Sequence, residues 1–70
     1  MENVITIQVN GENREAAPGT TVAALLTQLG LKPGRVAVEY NLRILPKGKW
    51  EETQVGNGDR LEIVQFVGGG

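Results

Sequence analysis

Seventy residues with eight acidic and seven basic side chains make one small domain and leave no basic field to hold nucleic acid. Cysteine, histidine and serine are all absent, which removes disulfides, thiolate and imidazole metal ligands, the usual general base and the commonest hydroxyl nucleophile together. The apolar runs are too short to span a bilayer, and Met1-Glu2-Asn3 lacks the basic start and apolar centre of a leader, so the expectation is a small cytoplasmic globule that does not catalyse alone.

Val4-Ile5-Thr6-Ile7-Gln8-Val9 alternates, with Ile5, Ile7 and Val9 on one face, and its β-branched residues predict a half-buried strand. Asn10-Gly11 is the pair that best accepts the positive φ angles of a type I′ turn, so the chain should fold back through the polar run Glu12–Ala16 at a sheet edge. Ala17-Pro18-Gly19 breaks that strand, and Thr20 or Thr21 can cap a helix. Val22, Leu25, Leu26 and Leu29 fall at i, i+3, i+4 and i+7, one apolar stripe, and Gly30 suits the left-handed position that closes a helix. At two to three turns this helix depends on docking its stripe against the sheet.

Lys32-Pro33-Gly34-Arg35 reads as a loop, Val36–Tyr40 as a third strand, Asn41-Leu42 as a tight reversal, and Arg43-Ile44-Leu45 as a short extended piece ended by Pro46. Lys47–Glu52 is expected to form a single helical turn that presents Trp50 as a lid on the core, with Lys47 and Lys49 solvated. Thr53-Gln54-Val55 is read as a further short strand and Gly56-Asn57-Gly58-Asp59 as a turn. The final strand, Leu61–Val67, leads into Gly68-Gly69-Gly70.

This order predicts an α+β domain, with one main helix packed across one face of a four- to five-stranded mixed sheet whose centre is formed by the apolar first and last strands. If Leu61 and Ile63 face the helix, Val64 and Phe66 point to the uncovered side. Two apolar residues in register there read as a docking patch rather than as scattered surface hydrophobes. Val67 lies at its root, and Arg60 and Glu62 could set register at its rim. The glycine run, which in another context would be a frayed end, reads here as a thin lead that carries a carboxylate away from the fold.

The chain resembles the ubiquitin-like, β-grasp sulfur carriers of thiazole (thiamine) biosynthesis, the ThiS family. The resemblance rests on Asn10-Gly11, Gly19-Thr20-Thr21-Val22 with Leu25-Leu26, Val36–Asn41, Ile44-Leu45-Pro46 with Trp50, and Gly58–Gly70, effectively the whole chain. It implies a β-grasp domain over residues 1–67 and a flexible glycine tail over 68–70. It also implies a carrier rather than an enzyme, monomeric when free, with no bound cofactor or metal. The Gly70 carboxylate is then adenylated with ATP by a ThiF-type adenylyltransferase and converted to a thiocarboxylate by a persulfide donor of the cysteine desulfurase type. A ThiG-type thiazole synthase takes the sulfur, and Gly68 and Gly69 supply the lead into partner clefts. Three other readings share parts of this pattern: a sulfur carrier for molybdenum-cofactor synthesis, a modifier joined to lysines, and a plain β-grasp binding module.

Overall fold

The computed structural model describes residues 3–66. The alternating run forms β1 (Ile5–Val9), with Ile7 and Val9 buried, and β2 (Glu12–Ala16) returns antiparallel with Glu12 opposite Val9. Asn10 and Gly11 both take positive φ, 51° and 82°, as the two-residue type I′ connection requires.

Helix α1 (Val22–Gln28) is only seven residues long, so its ends matter. Of the two candidate threonines, Thr21 is the cap: its Oγ1 accepts from the Ala24 N–H at 3.1 Å, whereas buried Thr20 donates its hydroxyl to the Ala17 carbonyl. The Val22 and Ala23 N–H groups donate to the carbonyls of Thr53 and Trp50 at 2.9 and 3.0 Å. At the other end Gly30 has φ 75°, its N–H reaches the Thr27 carbonyl, and the Leu31 N–H returns to Leu26, closing a Schellman motif.

The helix start explains a departure from the sequence reading. Thr53-Gln54-Val55 forms no strand; it contributes one isolated bridge, Gln54 opposite Thr21. The Trp50 and Thr53 carbonyls serve the helix N-terminus and the Val55 N–H donates to the Thr20 carbonyl, so these groups are taken before a ladder can form. Upstream, β3 (Val36–Tyr40) and β4 (Arg43–Leu45) form a second hairpin through Asn41-Leu42. A 3₁₀ turn at Lys47–Lys49 then delivers Trp50, which is 4% exposed and donates its indole N–H to the Leu45 carbonyl at 3.0 Å, the core lid expected of it.

The last strand, β5 (Arg60–Gln65), completes a sheet of order β2-β1-β5-β3-β4, in which β5 runs parallel to β1 and antiparallel to β3. One helix against a mixed five-stranded sheet is the α+β architecture predicted. The core is Val22, Leu25 and Leu26 of α1 set against Ile7, Val38, Leu61 and Ile63 of the sheet, and it includes Trp50 and Val55. Burying a side chain such as Leu26 contributes about 1.5–3 kcal/mol, so the stripe holds the short helix where its own propensity could not. Among the described residues no helix is long and apolar enough to cross a membrane.

Candidate functional site

Strand β5 is central in the sheet, and its residues alternate between buried Leu61 and Ile63 and exposed Arg60, Glu62 and Val64. Phe66 follows and is likewise exposed, while its N–H continues the β3 ladder by donating to the Arg35 carbonyl at 2.8 Å. Directly paired residues share a face, so the registers assign the uncovered side of the sheet. Val64 lies opposite Ala37, Glu62 opposite Glu39, and Glu39 opposite Ile44, with Gln8 beside Arg60. The expected docking residues Arg60, Glu62, Val64 and Phe66 are therefore brought together on one surface; Val64 is 56% and Phe66 57% exposed. Val67, Gly68, Gly69 and Gly70 lie outside the described residues.

Side-chain amides hold β5 in place. The parallel pairing of β1 with β5 covers only Gln8↔Arg60 and Val9↔Leu61, and beyond it Asn10 continues the ladder with its side chain. Asn10 Oδ1 accepts from the Ile63 N–H at 2.7 Å and its Nδ2 donates to the Ile63 carbonyl at 3.1 Å. The primary amide thus presents the same donor and acceptor as one more peptide group. At the other end of β5, Asn41 Oδ1 accepts from the Arg60 N–H at 2.9 Å while its Nδ2 donates to Asp59 Oδ1 at 3.2 Å. Asp59 also accepts from the Tyr40 hydroxyl and, at 2.6 Å, from the Gly56 N–H. Burial opposes ionisation of Asp59, but the bonds from Tyr40, Gly56 and Asn41 outweigh it and hold the carboxyl below its ordinary value. The same contact, helped by burial and by the Asp59 charge, pushes the Tyr40 hydroxyl up to about 12.

Several residues of this surface were not singled out from the sequence. Ile44 and Leu42 are 76% and 74% exposed, and Leu42 borders a shallow concavity with Thr6, Gln8, Asn13 and Arg60 on the uncovered side. Leu42 has φ 73°, a left-handed conformation that costs a residue with a β-carbon roughly 1–2 kcal/mol. The alternation of Arg43-Ile44-Leu45 could have placed Ile44 opposite Leu45, but only the pairing with β3 identifies the face. Among the described residues no group of three or more metal-ligating side chains converges.

A sequence profile of the ThiS family matches residues 7–70. The chain belongs to the ThiS family. Over 62 residues it is 50% identical to a thiazole synthase of Paramagnetospirillum magneticum, a match that takes in 89% of this chain and 19% of that protein. The chain thus spans about a fifth of the length of the thiazole synthases it matches. It is 33% identical over 64 residues to the sulfur carrier protein ThiS of Escherichia coli (strain K12), covering 91% of this chain and 97% of that one. The crystal structure of the thiamine biosynthesis protein ThiS from Geobacter metallireducens superposes with a TM-score of 0.81 at 32% identity, over 94% of this chain and 100% of that one. The fold of this ThiS-family chain is the ubiquitin-like β-grasp.

Proposed function

We propose that this chain is a sulfur carrier in thiamine biosynthesis, acted on by enzymes rather than being one. The observation that carries the reading is the family match, which runs through the β5 segment to Gly70 and includes the glycine run. A relative of nearly the same length carries the name sulfur carrier protein. In this reading the Gly70 carboxylate attacks the α-phosphorus of ATP on an adenylyltransferase, and pyrophosphate leaves. The terminal sulfur of a persulfide donor attacks the resulting acyl carbon, AMP leaves, and thiol reduction of the acyl disulfide frees a thiocarboxylate. A thiazole synthase then takes the sulfur; ThiS-like segments within thiazole synthase chains support that partner.

The residue types fit these steps. A carboxylate is a poor electrophile until one oxygen becomes a leaving group, and in this reading a partner that holds ATP makes it one. Gly68 and Gly69 have no side chains to bar a closed cleft, and proximity at the reacting carbon supplies much of the rate. Val64 and Phe66, with Arg60 and Glu62 at the rim, form the surface on which the partners dock. The need for ATP and a persulfide puts the carrier in the cytoplasm, where it works as a free monomer between encounters.

Intact mass spectrometry after incubation with ATP, an adenylyltransferase and a sulfur donor tests the reading. The expected product has one oxygen replaced by sulfur at Gly70, and loss of Gly69-Gly70 abolishes it. A chain that never exchanges that oxygen is not a sulfur carrier. Isopeptide-linked forms in a cell extract would instead mark a protein modifier, and sulfur delivery to a molybdopterin-type synthase alone would mark the other carrier class.

A further inference from the structure

The two hairpins of this fold make an internal comparison. Both connect their strands through two residues at positive φ, and both begin the loop with asparagine. The second loop residue is Gly11 in one hairpin and Leu42 in the other. Glycine takes this conformation without steric penalty; leucine does not. Leu42 gains little from packing in return, because it is 74% exposed. Two residues on, Ile44 is similarly exposed on the uncovered face. In line with Ile44 across the sheet stand Glu39 of β3 and Glu62 of β5, directly opposite each other and both exposed. Among the described residues neither carboxylate has a lysine or arginine nitrogen within 4 Å, since the ion pair found is Lys49 with Glu52. Like charges facing across a sheet weaken it. A left-handed leucine, a bare isoleucine and a glutamate pair without an ion-pair partner among the described residues all lie along one face, and packing within the fold explains none of them.

Strain and stability losses gathered on one surface point to a use outside the fold. We propose that the β3–β4 hairpin and the Glu39–Glu62 pair form a contact for the thiazole synthase, at a surface that presents an arginine or lysine side chain inside an apolar rim. The proposal rests on the sulfur-carrier reading above. Charge complementarity selects the basic group: directly opposite positions lie about 5 Å apart, so one guanidinium can reach both carboxylates. Leu42 and Ile44 on one flank and Val64 on the other exclude water from that ion pair, which strengthens it. The contact adjoins the Val64–Phe66 patch, so it orients the domain while the tail is engaged.

Calorimetric titration of the full 70-residue chain into the thiazole synthase, at low and high salt and alongside thermal melts, tests the contact. Asparagine accepts the left-handed region, so Leu42→Asn is expected to melt at the wild-type temperature or above while binding about tenfold more weakly. The double variant Glu39→Gln, Glu62→Gln is expected to melt no lower, to bind about tenfold more weakly and to lose most of the salt dependence of binding. A purely structural role would lower melting temperature and affinity together, and that outcome overturns the proposal. Wild-type affinity in both variants overturns it too, as does a defect confined to the adenylyltransferase or to self-association, which would identify a different occupant. Thiocarboxylate formation by the wild-type chain, read by mass on the same preparation, separates the two readings. Its presence together with unimpaired variant binding refutes the contact alone; its absence refutes the carrier.

Discussion

Replacing Asn10 with glycine isolates the side-chain clasp on β5. Glycine accepts φ 51° as readily as asparagine, so the turn is retained while both bonds to Ile63 are lost. Two hydrogen bonds at about 0.5–1.5 kcal/mol each make the expected loss about 1–3 kcal/mol, with the upper part of that range reached if the partly buried Ile63 N–H finds no water. A domain of this length has roughly 4–10 kcal/mol in all, so the clasp is a substantial share. Each kcal/mol lowers the melting temperature by about 4–8 °C in a domain of this size. Urea unfolding followed by the fluorescence of Trp50, the one tryptophan and a buried one, reads the change as a lower midpoint at unchanged slope. Amide exchange supplies the local test: Ile63 should exchange faster in the variant than the shift in global stability accounts for, because its N–H has lost its acceptor. An unchanged midpoint with unchanged Ile63 protection would refute the clasp as a fastening of β5.

Phe66→Glu should leave the unfolding midpoint within about 0.5 kcal/mol of wild type, because the ring is 57% exposed, yet block thiocarboxylate formation or sulfur delivery. If the variant unfolds instead, the ring belongs to the core and the face assignment is wrong. Tyr40→Phe tests the cluster at β5's start through pH. The folded-state hydroxyl is raised to about 12, so its contribution is complete below the unfolded value near pH 10 and is lost as pH rises through the folded one. Asp59 is shifted downward, so its contribution is present above its ordinary range and is lost as pH falls through the lowered value. Denaturation midpoints measured across pH should therefore fall at both extremes in the wild-type chain. In Tyr40→Phe the alkaline fall disappears and the acid fall shrinks; a variant that keeps the wild-type alkaline fall would refute the Tyr40–Asp59 assignment.

Local chemistry made much of this protein legible from its residues. β1 alternates because one face is buried, Asn10-Gly11 turns because both residues accept positive φ, and α1 ends where Gly30 can enter the left-handed region. Each signal lies within a few residues of the feature it specifies, and the Gly68-Gly69-Gly70 run with the off-face pair Val64 and Phe66 was visible for the same reason. Local pattern failed at Thr53-Gln54-Val55, where strand-like residues give up their backbone groups to a helix start some thirty positions away. It also saw Asn10 only as a turn residue, although its side chain fastens a strand 53 positions on.

The sequence by itself determined most of the elements, the glycine that ends the helix, the buried stripe and the family pattern through Gly70. Only the tertiary structure decided which residues share the uncovered face. A short strand such as Arg43-Ile44-Leu45 carries no mark of which side will be covered; its pairing with β3, and β3's with β5, sets Ile44 in line with Glu39 and Glu62. Likewise the conformation of Leu42 follows from closing a two-residue hairpin between strands whose register is held elsewhere in the sheet. Pairing between distant segments is the information that local spacing cannot contain, and the surface presented to partners is built from it.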